Sequence, residues 1–521
     1  MSLQDIVIDV YFVSLTVLFL FGSSGFVMMY YYFKCRNKRP EPPPKLNEFP
    51  VVTLQLPVYN EVYVVRRLID AACKIVYPRE KLEIQILDDS TDETSAVIAD
   101  CIAAHRQRGM EIKHIQRVNR QGYKAGALKE GLKTARGEFV GVFDADFVPS
   151  PDFLLETLPY FYQDPAIGMV QTRWEHLNSD YSLLTRAQAM ALDAHFVIEQ
   201  NVRNKAGFFI NFNGTGGIWR KSCIEDAGNW QADTLTEDLD LSYRAQLRGW
   251  KFKFLNHITS PAELPSEINA LKTQQFRWTK GAIETARKIL PKVWKSDISL
   301  EKKIHATVHL SNNIVFPFIL LAGILNVPLI YIKHQGGYET YFAIMAVFVF
   351  AFLGSFLFYL YSQKDVHKDW QKRILLFPLF MAGSMGFAVN NTKAVFEGLF
   401  KKRSEFVRTP KYNIVDKKDF WMDKKYVPAK MSFTVIIEVL LALYCLFGVV
   451  SSIYYLEIAA VPFQLLFSMG FGIVATLSLK HAWLARRLPR AGKKQTEPLA
   501  GAAVTLTPEF QTAQTIEQVQ V

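Results

Sequence analysis

Six long apolar runs, at residues 10–33, 308–332, 341–361, 374–400, 433–455 and 459–479, constrain this chain more than any other feature. Each is long enough to cross a hydrocarbon layer, which takes about 18 or more apolar residues. A purely soluble fold is therefore excluded. The stretch 51–265 carries no such run, so a globular region sits between one early span and a later bundle. Half of the residues are apolar and 21% are charged, which excludes disorder of the whole chain.

Charge sets the expected orientation. Asp5 and Asp9 precede the first run, whereas Lys34, Arg36, Lys38 and Arg39 follow it. The positive-inside rule then places the N-terminus outside and the globular region in the cytoplasm. The net charge is +11; its basic residues crowd beside apolar runs, which points to a lipid bilayer rather than nucleic acid. The basic segment 401–430 and the basic stretch after 479 both fall inside only if the run 374–400 does not cross. Asn390, Asn391 and Lys393 within that run suit an interfacial helix, leaving five spans. The stretch 268–294 mixes Phe276, Trp278 and Ile283 with Lys272, Arg277, Lys280, Arg287 and Lys288 and reads as a second interfacial helix.

These features divide the chain into an N-terminal span and linker (1–45), a cytoplasmic domain (46–265) and amphipathic helices (266–300). A membrane bundle with a basic loop at 401–430 (301–480) and a polar tail expected to be disordered (481–521) follow. The five cysteines have no metal-ligand spacing and read as free thiols.

Within 46–265, short β-rich runs alternate with amphipathic stretches, the rhythm of a parallel sheet covered by helices. Ligands bind such sheets at the carboxyl ends of the strands. Two acidic clusters fall there: Asp88-Asp89 after LEIQIL, and Asp144 with Asp146 after FVGVF. Carboxylates two apart can share a hard divalent cation, which takes one or two carboxylates plus substrate phosphates; the same pattern is also an ordinary acidic turn. Asp88 and Asp89 suit hydrogen bonds from a base or ribose, while Ser90 or Asp92 would serve equally as a helix cap.

Three further segments carry paired readings. Residues 120–127, RQGYKAGA, form a glycine-bearing loop entering a helix, where Lys124 would reach a phosphate or simply be solvated. Thr236-Glu237-Asp238 opens an amphipathic helix, with Thr236 as cap and the acids in the first turn, or with Asp238 as a general base for an acceptor hydroxyl. In QQFRW, Arg277 and Trp278 either anchor the helix at the membrane surface or offer a cation to a diphosphate and a ring to a sugar. Asn213-Gly214-Thr215 matches a glycosylation triplet that a cytoplasmic location would leave unused.

D-D-S, D-A-D, T-E-D and Q-Q-F-R-W, in this order between one span and a membrane bundle, resemble the processive family 2 glycosyltransferases of the cellulose synthase superfamily. LDDSTD, NRQGYKAGALKEGLK, FDADFVPSPDFL, FNGTGGIWR and ELPSEINALKTQQFRW are most similar to the plant cellulose synthase-like A and C branches, which make β-1,4-mannan, glucomannan or glucan backbones. The resemblance implies an α/β GT-A (Rossmann-like) catalytic domain joined to an α-helical transmembrane bundle with interfacial helices. It implies that Asp88 and Asp89 meet the nucleotide, Lys124 faces the diphosphate, and Asp144 and Asp146 hold Mg²⁺ or Mn²⁺. Asp238 would be the base with Glu237 beside it. Gln274, Arg277 and Trp278 would frame the mouth of a polysaccharide channel, Gln274 and Arg277 on the donor side and Trp278, Gly214 and Thr215 on the acceptor side. Residues 406–411, FVRTPK, resemble a gating loop that closes over the donor through Phe406, Arg408, Thr409 and Lys411. Two departures accompany this: Asn213-Gly214-Thr215 replaces the Cys-containing motif of true cellulose synthases, and no cyclic-di-GMP-binding domain is expected.

The expected activity is metal-dependent, inverting hexosyl transfer from UDP-glucose or GDP-mannose onto a growing β-linked glycan, with export of the polymer. The expected location is a plasma or inner membrane, or a Golgi membrane in a eukaryote. The alternatives are a glycolipid synthase adding one sugar to a membrane lipid, and a channel with a nucleotide-binding domain. The latter needs ionisable residues within spans, and only Glu438 clearly lies in one.

Overall fold

The computed structural model describes residues 2–38, 42–402, 404–422, 424–425 and 432–487. Of the stretch 481–521 expected to be disordered, residues 481–487 instead continue the helix Val461–Arg487; its remainder, and residues 403, 423 and 426–430 of the basic loop, lie outside the described residues.

Seven strands form one sheet in the order β3-β2-β1-β4-β6-β5-β7. They are β1 (Val52–Val58), β2 (Leu82–Asp88), β3 (Ile112–Gln116), β4 (Phe139–Val142), β5 (Ile167–His176), β6 (Gly217–Arg220) and β7 (Lys251–Ala262). The strands β3, β2, β1 and β4 are mutually parallel, as the βαβ rhythm predicts. The rest corrects a purely parallel reading: β6 runs antiparallel to both β4 and β5, making the sheet mixed. Hydrophobic periodicity carries no strand direction, and a four-residue strand arriving from an extended loop leaves no helical crossover to betray its sense.

Helices cover both faces, so the central strands are buried on both sides. Leu54, Leu56, Ile84 and Ile86 pack into one core with Leu68, Ile98 and Phe153. Leu128, Leu132, Val140, Val142, Trp219 and Leu241 form a second core. β1 and β2 also carry buried polar residues that bond to one another: Gln55 donates to Gln85 at 3.1 Å and Thr53 to Glu83 at 2.6 Å.

Five helical segments are long and apolar enough to cross a membrane: Leu3–Cys35, Leu300–Gln335, Glu339–Val366, Thr434–Tyr454 and Ile458–Leu484. The run 374–400 is not among them; it forms two helices, Phe377–Gly386 and Ala388–Leu399, the second carrying Asn390, Asn391 and Lys393. The amphipathic stretch is one long helix, Ile268–Lys295, whose N-terminus is capped by Glu267 accepting from the amides of Asn269 and Ala270. Lys272 on this helix donates to both oxygens of Glu438 at 2.6 and 2.9 Å, with both residues buried. The one ionisable residue singled out within a span is thus the partner that docks the long helix on the bundle.

Candidate active site

The strands β2, β1 and β4 deliver their carboxyl ends to one edge, and the winding reverses between β1 and β4. That reversal opens a crevice. It is lined by Tyr59, Asp89, Asp144, Asp146 and Glu61 from the strand ends, and by Lys124, Asn213, Gly214, Glu237 and Asp238. Gln274, Arg277 and Trp278 form one wall, and Phe406, Arg408, Thr409 and Lys411 form another. Residues from eight separate sequence segments therefore meet in one cavity.

Lys124 lies in the first turn of the helix Tyr123–Thr134, entered through Gly122 in the left-handed conformation. Its ammonium contacts Asp144 Oδ1 at 2.5 Å and donates to the Gly214 carbonyl at 2.9 Å. Burial weakens the hold of Lys124 on its proton, yet Asp144 beside it outweighs that, so its pKa stands above the usual lysine value. Asp146 pairs with Lys411. Among the described residues no group of three or more His, Cys, Asp or Glu side chains is arranged to hold a metal. Two carboxylates at a strand end fit a hard cation whose other ligands are phosphate and water oxygens.

Glu237 and Asp238 occupy the first turn of the helix Glu237–Leu247. The turn is docked on the long helix: the Leu235 amide donates to Glu284 at 2.9 Å, and the Thr236 and Thr285 hydroxyls lie 3.1 Å apart. Gly281 permits this approach, since a Cβ there would meet Thr236 Cγ2 at 2.6 Å. Thr236 precedes the helix as expected, but its side chain makes no capping bond because Thr285 takes it. Burial, then the neighbouring Glu237, push the Asp238 carboxyl up to about 7, against the pull of Lys124. Burial likewise raises Glu237 above the usual carboxylate range and lowers Arg277 below the usual arginine value. Gly214 has φ +82° and a Cβ there would fall 2.9 Å from Asp238 Oδ2, so the backbone itself abuts that carboxylate.

Gln274, Arg277 and Trp278 fall at i, i+3 and i+4, one face of the long helix. The Arg277 guanidinium stands 4.6 Å above the Phe406 ring, which stacks on Tyr123 at 5.7 Å. The rest of the segment is latched down. Arg408 pairs with Glu61 at 2.7 Å, and the Tyr412 amide donates to Glu263 at 2.9 Å. Arg67 braces Glu263 at 3.2 Å. Burial raises Glu61 to about 8, with Arg408 and Lys411 pulling the other way.

Two expected site residues are placed differently. Asp88 does not line the cavity. Its buried carboxylate accepts from the Ser90 amide at 2.9 Å, Ser95 Oγ at 2.6 Å and Gln116 at 3.3 Å, and faces His114 Nε2 at 2.9 Å. Burial raises its pKa, but those bonds more than reverse it and hold the group below the usual carboxylate range. It braces the strand end, and only Asp89 reaches the cavity, with Arg117 Nε donating to its Oδ1 at 2.8 Å. Thr215 is also buried and absent from the lining; its hydroxyl accepts from the Asp144 amide at 2.9 Å and so positions the acidic turn. Adjacent acids carry no sign of which one turns inward. Sequence reasoning missed Glu61, Glu263, Arg67 and the Arg120–Tyr59 stack, in which the guanidinium lies 3.3 Å from the ring centroid. Of these, Tyr59 and Glu61 carried a signal in their place just past the end of β1, and Arg120 in the glycine-bearing loop it opens.

An acid-lined crevice at the switch point of a mixed α/β sheet, walled by an amphipathic helix and a basic loop, defines a GT-A-like domain beside a set of candidate membrane helices. Residues 50–281 match the family described as glycosyltransferase like family 2. It is 46% identical over 263 residues to a probable glucomannan 4-beta-mannosyltransferase 4 of Oryza sativa subsp. japonica, covering 49% of this chain and 48% of the relative. It is 45% identical over 265 residues to glucomannan 4-beta-mannosyltransferase 2 of Arabidopsis thaliana, covering 50% and 49%. The chain thus spans about half the length of these relatives. The fold also resembles the mannosyltransferase PcManGT from Pyrobaculum calidifontis, solved with GDP-Man and Mn²⁺: TM-score 0.52, 18% identity, 75% of this chain and all of that one covered.

Proposed function

We propose that this chain is a membrane-embedded, inverting glycosyltransferase that elongates a β-1,4-linked, mannose-containing glycan from GDP-mannose and passes it into the membrane bundle. One observation carries the reading: a half-buried carboxylate of raised pKa, Asp238, shares a cavity with Lys124, Arg277 and the Asp144-Ala145-Asp146 turn. The mannosyltransferase relatives favour mannose over glucose. The catalytic domain is read as cytoplasmic, from the distribution of basic residues.

Asp238 accepts the proton of an acceptor hydroxyl as the oxygen attacks the anomeric carbon. The sugar–phosphate bond breaks on the opposite face, so one displacement inverts the configuration and the diphosphate departs with the bonding pair. Lys124 and Arg277 offset its growing negative charge from fixed positions in the cavity lining. Asp144 and Asp146 would hold Mg²⁺ or Mn²⁺, which supplies further charge neutralisation on the diphosphate. Trp278 offers a flat face to a sugar ring at the helix wall. The loop 406–411 excludes water by closing over the donor.

The test uses purified protein in lipid nanodiscs with Mn²⁺, given radiolabelled GDP-mannose or UDP-glucose in parallel. The expected result is alkali-stable polymer from GDP-mannose, digestible by a β-1,4-mannanase. Label confined to an extractable single-sugar lipid, or no label transferred, would contradict the proposal.

A further inference from the structure

Behind the cavity lies a polar chain that the reaction as described does not use. Between the helices Leu183–Asp193 and Asn201–Ala206, the backbone makes a π-helical turn, Ala194–Gln200. Such turns widen a helix locally and recur at functional sites. This one aims His195 and Gln200 at one target, the side chain of Asn213, which lines the cavity next to Gly214, and sets Glu199 behind His195.

The hydrogen bonds fix direction as well as contact. Glu199 Oε2 lies 2.8 Å from His195 Nδ1. Burial raises the Glu199 carboxyl, but the His195 bond and the charges of His195, His309 and Arg203 together outweigh it and hold the group down to about 2; an ionised carboxylate only accepts, so Nδ1 carries the hydrogen. Asn213 Nδ2 lies 2.9 Å from His195 Nε2; an amide nitrogen only donates, so Nε2 is the accepting lone pair of this contact. Gln200 Nε2 independently donates to Asn213 Oδ1 at 2.7 Å, and also to the Asn211 carbonyl at 2.9 Å, an acceptor that cannot reverse. Both ends of the Asn213 amide are therefore set the same way. Its backbone is fixed too, with the Asn213 amide donating to Gln171 at 3.0 Å and Lys124 holding the Gly214 carbonyl. One N–H and one oxygen lone pair of the Asn213 amide are left over.

We infer that His195 is a positioning residue: gripped by Glu199, it orients Asn213 so that the free N–H and the free lone pair meet hydroxyls of the acceptor sugar beside Asp238. A fixed donor–acceptor pair matches a sugar hydroxyl, which both donates and accepts, and it adds acceptor-site selectivity that a freely flipping amide lacks. The inference rests on the glycosyltransferase reading and deepens it by naming what aligns the acceptor.

The variants are His195→Ala, which removes the lone pair facing Asn213, and His195→Gln, whose Oε1 can replace Nε2 as acceptor. Full-length protein in nanodiscs is assayed with GDP-mannose and a β-1,4-mannohexaose acceptor, following both GDP release and sugar transfer. His195→Ala is expected to raise the acceptor KM about tenfold, one hydrogen bond's worth, with donor KM unchanged and a larger share of donor lost to hydrolysis. His195→Gln is expected to recover most of the acceptor KM and the partition. Wild-type acceptor KM and partition in His195→Ala, or a His195→Gln no better than the alanine variant, overturns the role. Loss of GDP binding in both variants overturns it as well, since His195 would then be holding the fold. A wild-type protein that turns over no nucleotide sugar overturns the glycosyltransferase reading and takes this role with it.

Discussion

Lys272–Glu438 and Lys124–Asp144 are both lysine–carboxylate contacts under 3 Å, yet their surroundings differ. In the first, one ammonium takes both carboxylate oxygens, and the side chains are 7% and 0% exposed. In the second, the lysine is shared with the Gly214 carbonyl and Asp144 is 33% exposed toward the cavity. Glu237, Asp238 and Arg277 also bear on Lys124 and its neighbours. The first contact is closed and docks a helix on the membrane bundle. The second is one arrangement of charges that a diphosphate and a cation can rearrange. A buried ion pair therefore discloses its role through its neighbours' unsatisfied capacity rather than through its own geometry.

The sharpest way to break this comparison is to remove the base. Asp238→Asn keeps the shape and discards the proton acceptor, so turnover should fall by about 10²–10⁴-fold, with GDP affinity largely retained by calorimetry. Near-normal turnover would remove Asp238 from the mechanism. The closed pair should answer in stability instead. Lys272→Ala leaves Glu438 buried and unpartnered, at a cost of about 3–5 kcal/mol, whereas the paired change Lys272→Met with Glu438→Leu should be neutral or stabilising. Thermal unfolding in detergent distinguishes them, and equal losses in both would show that the pair is more than a dock.

Two smaller effects probe the exchangeable charges. With its carboxyl raised to about 7, Asp238 is protonated and idle on the acid side. The donor kcat/KM should therefore rise with pH through about 7, falling about tenfold for each unit below it. A flat profile between pH 5.5 and 8 would contradict the assignment. Lys411→Ala frees Asp146 from its ammonium and also loosens the loop. The Mn²⁺ concentration giving half-maximal activity should drop several-fold while turnover also declines. An unchanged Mn²⁺ dependence would mean that Lys411 and the cation do not compete.

The parts that could be read in advance were those written in periodicity and local spacing. Apolar run length anticipated the five candidate spans, and charge anticipated that 374–400 would not join them. Strand-end acids marked the cavity edge, and the i, i+3, i+4 spacing put Gln274, Arg277 and Trp278 on one wall. What stayed hidden depends on contacts between distant segments. Asp146 and Lys411 are 265 positions apart, and nothing in either neighbourhood names the other. The inward turn of Asp88 follows from Ser95, His114 and Gln116, which belong to the next helix and strand. The antiparallel β6 and the π-turn behind Asn213 are likewise set by packing, because strand sense and a single extra residue in a helix leave no periodic trace.

The central claim is a single displacement driven by one base, and the configuration of the bond it makes tests this most directly. A short β-1,4-mannooligosaccharide and GDP-mannose, whose sugar is α-linked, would be incubated with the nanodisc-held protein, and the first linkage formed would be read by NMR. The account predicts a new β-linkage from the outset; an α-linked product would mean retention and would contradict the assignment of Asp238 as sole base.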